Sequence, residues 1–168
     1  QVAGTLQLNT GATMVDDDYF DLGIGAGPVT NLTYQVLNGG VHVHSTGAGV
    51  DVIPDAGWQS GSTCQINATS GTVPSIASSI AFHHFVWNGT VQSTALNLAG
   101  QLSVINGDLI IQDTNNQFLL LSQNSTLTVG GDFVMQGQSR LQLNSTGTST
   151  FNISGNLNIS STSTTAPF

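Results

Sequence analysis

The sequence predicts an all-β protein: a right-handed parallel β-helix, or solenoid, with about 24 residues per coil and about seven coils. Alternating apolar and polar residues flank three glycines, Gly107, Gly131 and Gly155, which stand 24 residues apart. A fixed period of this length is typical of repeat proteins. The composition agrees, because charged residues make up only 6% of the chain and long charged side chains are what exposed helix faces are built from.

Positions on either side of the three glycines also share residue types. The aligned sets are Ile105, Val129 and Ile153; Leu109, Phe133 and Leu157; Ile111, Met135 and Ile159; and the turn residues Asp108, Asp132 and Asn156. Stacked coils lie about 4.8 Å apart and place equivalent residues above one another, so the apolar columns should fill the core. Glycine is expected at the corner because it tolerates the backbone angles of a sharp turn.

The pattern continues upstream with less regular spacing. "HHFVWN" at 83–88 matches the unit around Gly131, which puts Trp87 in an inward column and His84 in the turn column. "STCQI" at 62–66 aligns Cys64 with Leu127 and Phe151, as a small buried hydrophobe. Residues 67–82 exceed the regular unit by about one loop and are predicted to be an insertion outside the coil.

A single β-helix domain is predicted for residues 1–160, with a Ser/Thr-rich tail or linker at 161–168. The net charge of −8 makes nucleic acid and anionic membrane surfaces unlikely partners. The longest apolar run, 118–121, is too short to span a membrane. An extracellular location is expected; Gln1 would suit a mature N-terminus left by a signal peptidase, but a cloned fragment would begin in the same way.

The stretch from "GWQSGSTCQINATSGTVPSIASSIAFHHFVWNGT" to "LNLAGQLSVINGDLIIQ" resembles secreted or cell-surface parallel β-helix repeat proteins of Bacteroidetes. The resemblance covers roughly residues 40–160. It implies an adhesin-like protein exported by the type nine secretion system. Members of this group usually carry a C-terminal sorting domain, which this sequence does not contain.

Four carboxylates cluster near the N-terminus, at Asp16, Asp17, Asp18 and Asp21. Ca²⁺ binds several oxygen ligands, so these residues are a candidate calcium site, and calcium is the one cofactor considered. The alternative is a solvated acidic corner, since the regular spacing of a calcium-binding loop is absent. A glycosidase pair is disfavoured because carboxylates on one turn do not face each other across a cleft.

Two histidines, His42 and His44, lie on the same face of a predicted strand. Such a pair can bind Zn²⁺ with a third ligand, but none is visible nearby. The favoured interpretation is therefore two exposed imidazoles opposite buried Val41 and Val43. Trp58, in a Gly-rich turn, is a candidate platform for stacking a sugar, with a packing role as the alternative.

An outward column of the predicted coil is apolar. Val86, Ile110 and Val134 follow the same 24-residue period, and Leu119 and Leu121 are predicted to point outward on a neighbouring strand. An apolar stripe of this size usually marks a contact surface. The expected partners are other domains of a larger parent chain or further copies of this chain.

The predicted function is structural or adhesive: a stiff extracellular module, rod or filament subunit that presents loops to glycans or proteins. Enzymatic activity is not expected, because polysaccharide lyases usually need a basic residue and Arg140 is the only one besides histidine. A carbohydrate-active or carbohydrate-binding β-helix and an ice-binding solenoid are the alternatives. The ice-binding alternative rests on Thr126 and Thr128, but Leu102 and Val104 interrupt their column.

Overall fold

The computed structural model describes residues 4–16, 32–45, 52–67, 71–121, 126–144 and 148–164. These residues contain strands and no helix. The strands are β1 (Gly4–Leu8), β2 (Thr13–Asp16), β3 (Leu32–Val36), β4 (Val41–Ser45), β5 (Gly57–Trp58), β6 (Thr63–Asn67), β7 (Ala81–Phe82), β8 (His84–Asn88), β9 (Leu96–Asn97), β10 (Val104–Ile105), β11 (Leu109–Asp113), β12 (Phe118–Leu120), β13 (Thr126–Val129), β14 (Phe133–Met135), β15 (Arg140–Gln142), β16 (Thr150–Ile153) and β17 (Leu157–Ile159).

The strands form a parallel β-solenoid of about five turns with about 24 residues per turn. One sheet, called the central sheet below, has seven strands in the order β17-β14-β11-β8-β6-β4-β2. Two sheets, β1-β3-β5 and β16-β13-β10-β7, supply the strand that precedes each central strand along the chain. A third side holds β15-β12-β9. The all-β parallel solenoid predicted from the repeat is therefore confirmed.

A count of seven coils stays a prediction. The central sheet has seven strands, but a complete turn needs all three sides, and the third side has strands in three described passes. Turn length is regular only in the C-terminal half, where Phe85, Leu109, Phe133 and Leu157 are partners in register.

The predicted columns of this half are confirmed. Ile105 pairs with Val129 and Val129 with Ile153. The column through Trp87, Ile111 and Met135 is equally in register and completely buried. These side chains belong to one hydrophobic core that runs through the stack. Burial of one large apolar side chain contributes about 1.5–3 kcal/mol, so the continuous columns stabilise the stack.

The corners before the central strands are of two kinds. In the N-terminal half they carry Gly11, Gly39 and Gly61, all with φ between 73° and 81°, and consecutive corners are joined by Gly11 N–H to Gly39 O and Gly39 N–H to Gly61 O. Here glycine is required by the backbone angle. The corners at Gly107, Gly131 and Gly155 have no positive φ, so the predicted reason for glycine does not hold there.

Two upstream predictions are wrong. Cys64 is buried as expected, but it pairs with Phe85 in the central sheet rather than with Leu127 and Phe151. The described part of 67–82 is not a loop outside the coil, because Ile76, Ile80 and Phe82 are buried in the core and β7 joins a sheet. The alignment failed because the spacing from β6 to β8 is shorter than the regular unit.

The start of the predicted tail follows the solenoid. Thr162 N–H donates to Gly137 O at 2.6 Å, and Ser161 Oγ donates to Ser139 O at 2.7 Å. Thr164 N–H donates to Asn116 Oδ1 at 3.2 Å. Residues 161–164 therefore lie along the third side of the stack, beside the coil before them.

Candidate functional site

A ladder of hydrogen bonds runs up one corner of the solenoid. His84 Nδ1 accepts the Asp108 N–H at 3.0 Å, and Asp108 Oδ1 accepts the Asp132 N–H at 2.8 Å. Asp132 Oδ1 then accepts both the N–H and the side-chain amide of Asn156, at 2.7 and 3.1 Å. Each side chain thus satisfies a backbone donor of the next coil, which confirms that His84 shares the turn column with the aspartates.

The first step of the ladder contains two histidines in contact. The rings of His83 and His84 are 4.3 Å apart, and His83 Nε2 lies 3.2 Å from Ser60 Oγ. Burial lowers the pKa of His83, as does neighbouring His84, while Asp108 opposes the shift. His84 Nδ1 also lies 3.3 Å from Asp108 Oδ2, so this nitrogen faces both the backbone N–H and the carboxylate of Asp108.

The glycines beside this ladder are needed for space. A Cβ on Gly131 would lie 2.8 Å from the carbonyl carbon of Gly107 and would overlap Asp108 Oδ1. Gly155 has the same environment one coil on, against Gly131 and Asp132. The ladder and the glycines therefore form one corner in which each carboxylate occupies the position where the next coil would otherwise place a side chain.

The histidine pair of β4 points into the core, and the interpretation as exposed imidazoles is wrong. His42 and His44 are completely buried, with stacked rings 6.2 Å apart, and His42 Nδ1 is 2.9 Å from the Tyr34 hydroxyl. His42 pairs with Cys64 and His44 with Ile66, so both occupy inward columns of the central sheet. Val43 takes the outward position in register with Gln65, but it is buried as predicted, while Val41 is half-buried.

The acidic segment is described only at its start. Asp16 ends β2, and its backbone is the register partner of His44, while Asp17, Asp18 and Asp21 lie outside the described residues. Calcium binding there stays a prediction. Among the residues that the structure describes, no group of three or more His, Cys, Asp or Glu could hold a metal ion.

Trp58 has a packing role. Its ring makes edge contacts with His42 at 5.9 Å and with Phe82 at 5.0 Å, and it packs against both hydrophobic clusters of the stack. Its ring thereby fills the interior at the level where one sheet ends with β5 and another sheet begins with β7. An indole held between interior rings does not suit the stacking of a sugar, so the predicted platform is not supported.

The outward column of the central sheet is apolar but largely shielded. Val86 is in register with Ile110, and Ile110 with Val134. Val86 is buried, and the other two are half-buried, because neighbouring branched side chains cover one another along the column. The predicted contact surface therefore exposes less apolar area than the sequence suggested.

The orientation predicted for β12 is reversed. Leu119 and Leu121 are buried in the core, whereas Phe118 and Leu120 are half-buried. Leu119 pairs with Leu96 and Leu141, which are also buried. Leu119 and Leu121 are thus inward residues of the third side and are not available as a contact surface.

Two residues of the apolar columns are exposed on the last described coil. Leu157 is 57% and Ile159 is 43% exposed, whereas their column neighbours Phe133 and Met135 are 1% and 0% exposed. Strands β16 and β17 each have one described neighbour and form the edges of their sheets. The sequence indicated an apolar surface at this position, because the apolar columns that define the repeat include Leu157 and Ile159.

A shallow groove of about 330 Å³, called the polar groove below because most of the residues that line it are polar, lies beside the ends of the central strands. It is lined by Asn88, Thr90, Gln112, Asp113, Gln136 and Gly137. Asp113 is fixed there, since its Oδ1 accepts the Asn115 N–H at 2.5 Å. The groove offers amide donors and a carboxylate acceptor, which is suitable chemistry for a neutral polyhydroxyl ligand. No sequence motif had pointed to it.

No protein-family model, curated protein or solved structure matches the chain. Within the described residues, no helix is long and apolar enough to cross a membrane.

Proposed function

We propose that this chain is a structural module of a secreted or cell-surface protein, a stiff rod that holds loops and polar surfaces in fixed positions. The observation that carries the proposal is the corner ladder beside continuous apolar columns. Each coil offers the next one a row of apolar side chains, paired strands and a side-chain acceptor for a corner N–H. Such a stack resists local bending, because each interaction recurs in every regular coil.

The surface of the module suits contacts rather than chemistry. Arg140, the one arginine, lies 3.6 Å over the ring of Phe118 and donates to Asn116 O at 3.1 Å. It serves the third side of the stack, and the proposal includes no enzymatic activity. The half-buried column through Ile110 and Val134 is proposed as the place where another domain or copy packs.

The finer features of the proposal come from the sequence. The resemblance to surface proteins of Bacteroidetes supports extracellular export through the type nine system. Right-handed winding agrees with the strong preference of crossovers between parallel strands. Seven strands in the central sheet support seven coils.

Native-state proteolysis with a nonspecific protease tests the rod. We expect strands β7 to β17 to resist cleavage until denaturant unfolds them, because each is paired with at least one neighbouring strand. The Phe133→Ala variant, which leaves a cavity in a buried column, should become susceptible at lower denaturant than wild type. The matched control is Val134→Ala, at the adjacent outward position. Rapid cleavage of the wild type within β8 to β14 would contradict a stiff rod.

Carbohydrate binding is the second candidate, favoured by the polar groove. A glycan array probed with the labelled protein should show binding to neutral saccharides that Asp113→Ala weakens. Thr94→Ala, an exposed position outside the groove, is the control. Ice binding gains no such support, because Thr128 lies beside Val104 on one side and Asn152 on the other, so the threonine ladder is short.

A further inference from the structure

The polar groove crosses three successive coils of the solenoid. Its lining comes from Asn88 and Thr90 on one coil, Gln112 and Asp113 on the next, and Gln136 and Gly137 on the third. Each coil thus contributes one side-chain amide, directly after the buried column of Trp87, Ile111 and Met135. Because successive coils are stacked about 4.8 Å apart, the groove extends parallel to the axis of the solenoid.

The groove lies where the regular pairing of the central sheet is interrupted. Ile111 pairs with Trp87, but the next pair between β11 and β8 joins Asp113 to Asn88, so Gln112 is an extra residue in β11. β-Bulges re-aim side chains and are over-represented beside active sites. This bulge places both Gln112 and Asp113 at the groove, so the middle coil contributes a carboxylate in addition to its amide.

Two polar groups of the groove are held in place by the protein itself. Asp113 Oδ1 accepts the Asn115 N–H at 2.5 Å, and Asp113 Oδ2 lies 3.4 Å from the Gln138 N–H that it accepts. The side-chain amide of Asn88 donates to Asn67 Oδ1 at 3.2 Å. Groups that are oriented before a ligand arrives reduce the conformational entropy that binding would otherwise cost.

The charge of the groove disfavours acidic ligands. Asp113 is the one ionisable residue among the described residues that line it. The sequence contains no lysine, and its single arginine, Arg140, lies over the ring of Phe118 on the third side of the stack. A carboxylate or sulfate on a ligand would therefore meet a negative charge without a cation in the described lining. Hydroxyl groups donate and accept, so they match both the amides and the carboxylate.

The repeat of the groove matches a polymer better than a single sugar. A monosaccharide would reach the amide of about one coil, whereas the groove presents an amide on each of three coils. A pyranose ring in an extended polysaccharide is about as long as the spacing between coils, so consecutive units of one chain can face successive amides. The volume of about 330 Å³ lies at the lower end of the range for ligand sites, which suits a short stretch of such a chain.

We propose that the polar groove binds one chain of a neutral polysaccharide, extended parallel to the solenoid axis, with consecutive sugar units facing Asn88, Gln112 and Gln136. Asp113 accepts a hydroxyl group of the unit at the middle coil. The inference rests on carbohydrate binding, the second candidate function, and it specifies the ligand as a neutral polymer that is read one unit per coil.

Isothermal titration calorimetry with saccharides of increasing length tests the proposal. The probes are glucose, cellobiose, cellotetraose and cellohexaose, a matching series built from mannose, and an acidic series built from galacturonate. In at least one neutral series, the affinity should rise about tenfold from the disaccharide to the tetrasaccharide, the effect of one or two added hydrogen bonds, and then level off. The acidic series should bind more weakly than the neutral series at every length.

Variants at the two outer coils of the groove locate the chain. Asn88→Ala and Gln136→Ala should each weaken tetrasaccharide binding about three- to tenfold, and the double variant should lose the gain from disaccharide to tetrasaccharide. Circular dichroism and thermal unfolding first establish that each variant is folded; Gln112→Ala, at an exposed position, replaces Asn88→Ala if that variant unfolds. Gln59→Ala removes an exposed amide away from the groove and should bind as the wild type does.

Equal affinity for the disaccharide and the longer chains overturns the proposal, as does a gain with length that the double variant keeps; carbohydrate binding itself would then stand. Tighter binding of the acidic series also overturns it. If no member of either neutral series binds, both the proposal and the carbohydrate candidate fail. The structural role is tested separately by proteolysis, and none of these outcomes would remove it.

Discussion

At the scale of single residues, the corner before each regular central strand combines an acceptor side chain of one coil with two residues of the next coil. These two are a glycine and the residue after it, whose N–H the side chain accepts. The carboxylate of Asp108 accepts the N–H of Asp132, and it occupies the space that a side chain at position 131 would need. The Gly131 N–H donates to Gly107 O at 2.8 Å, which holds the two corners at van der Waals distance. This close approach explains why glycine recurs with the same period as the aspartate.

Replacing Gly131 with alanine should destabilise the protein by about 1–3 kcal/mol, the usual effect of forcing an extra group into a packed site. The added Cβ meets backbone atoms of Gly107 that cannot move aside. The control is Gly71→Ala, where a Cβ would have no neighbour within 4 Å. Urea titrations give both changes in the free energy of unfolding, and equal values would contradict the packing argument.

Replacing Asp108 with alanine should lower the free energy of unfolding by about 1–2 kcal/mol, because the part-buried Asp132 N–H loses its acceptor. Asp108→Asn keeps an acceptor oxygen at the same place and should retain most of the stability. The same titrations decide the outcome. If asparagine were as damaging as alanine, the ladder would depend on the charge of Asp108 and not on its hydrogen bond.

At the scale of elements, strand orientation is where sequence and structure differ most. In "QFLLL" at 117–121 adjacent residues are all apolar, so alternation cannot tell the inward set from the outward one. In "VHVH" at 41–44 hydrophobicity favours inward valines, yet His42 continues the column of Cys64. In both cases the register with the neighbouring coil decides the orientation, and local polarity does not carry that information.

The orientation of β12 can be tested with two adjacent leucines. Leu119→Ala should lower the free energy of unfolding by about 2–5 kcal/mol, because it leaves a cavity in a buried column. Leu120→Ala, at a half-buried position, should change it by less than about 1 kcal/mol. Chemical denaturation of both variants is sufficient. The reverse order of effects would restore the orientation that the sequence suggested.

At the scale of the whole molecule, the regular repeat was enough to predict the solenoid and the columns of its C-terminal half. It could not predict the N-terminal half, where corners from Leu8 to Met14 and from Trp58 to Cys64 are longer. The groove around Asp113 also carried no sequence signal, because its lining residues come from successive coils. A periodic pattern predicts the contacts that repeat from coil to coil. Features that depend on irregular spacing between strands can be located only in the three-dimensional structure.

Cys64 provides a probe of the stack as a whole. Burial in the core raises the pKa of its thiol, and no labelling reagent can reach it in the folded stack. Native protein should therefore resist iodoacetamide even when the pH is raised toward the pKa of a free thiol. Labelling should begin in the denaturant range where circular dichroism is lost. Fast labelling of native protein would show that the core around β6 opens locally.

The most direct test of the account is a methyl NOESY spectrum of protein labelled at isoleucine and valine methyl groups. Stacked coils predict cross-peaks between Ile105 and Val129 and between Val129 and Ile153, which are 24 residues apart in sequence and adjacent in one column. Val134 lies closer to Val129 along the chain but points outward, and should show no cross-peak with it. Absence of the two column cross-peaks in folded protein would contradict the solenoid and the structural role built on it.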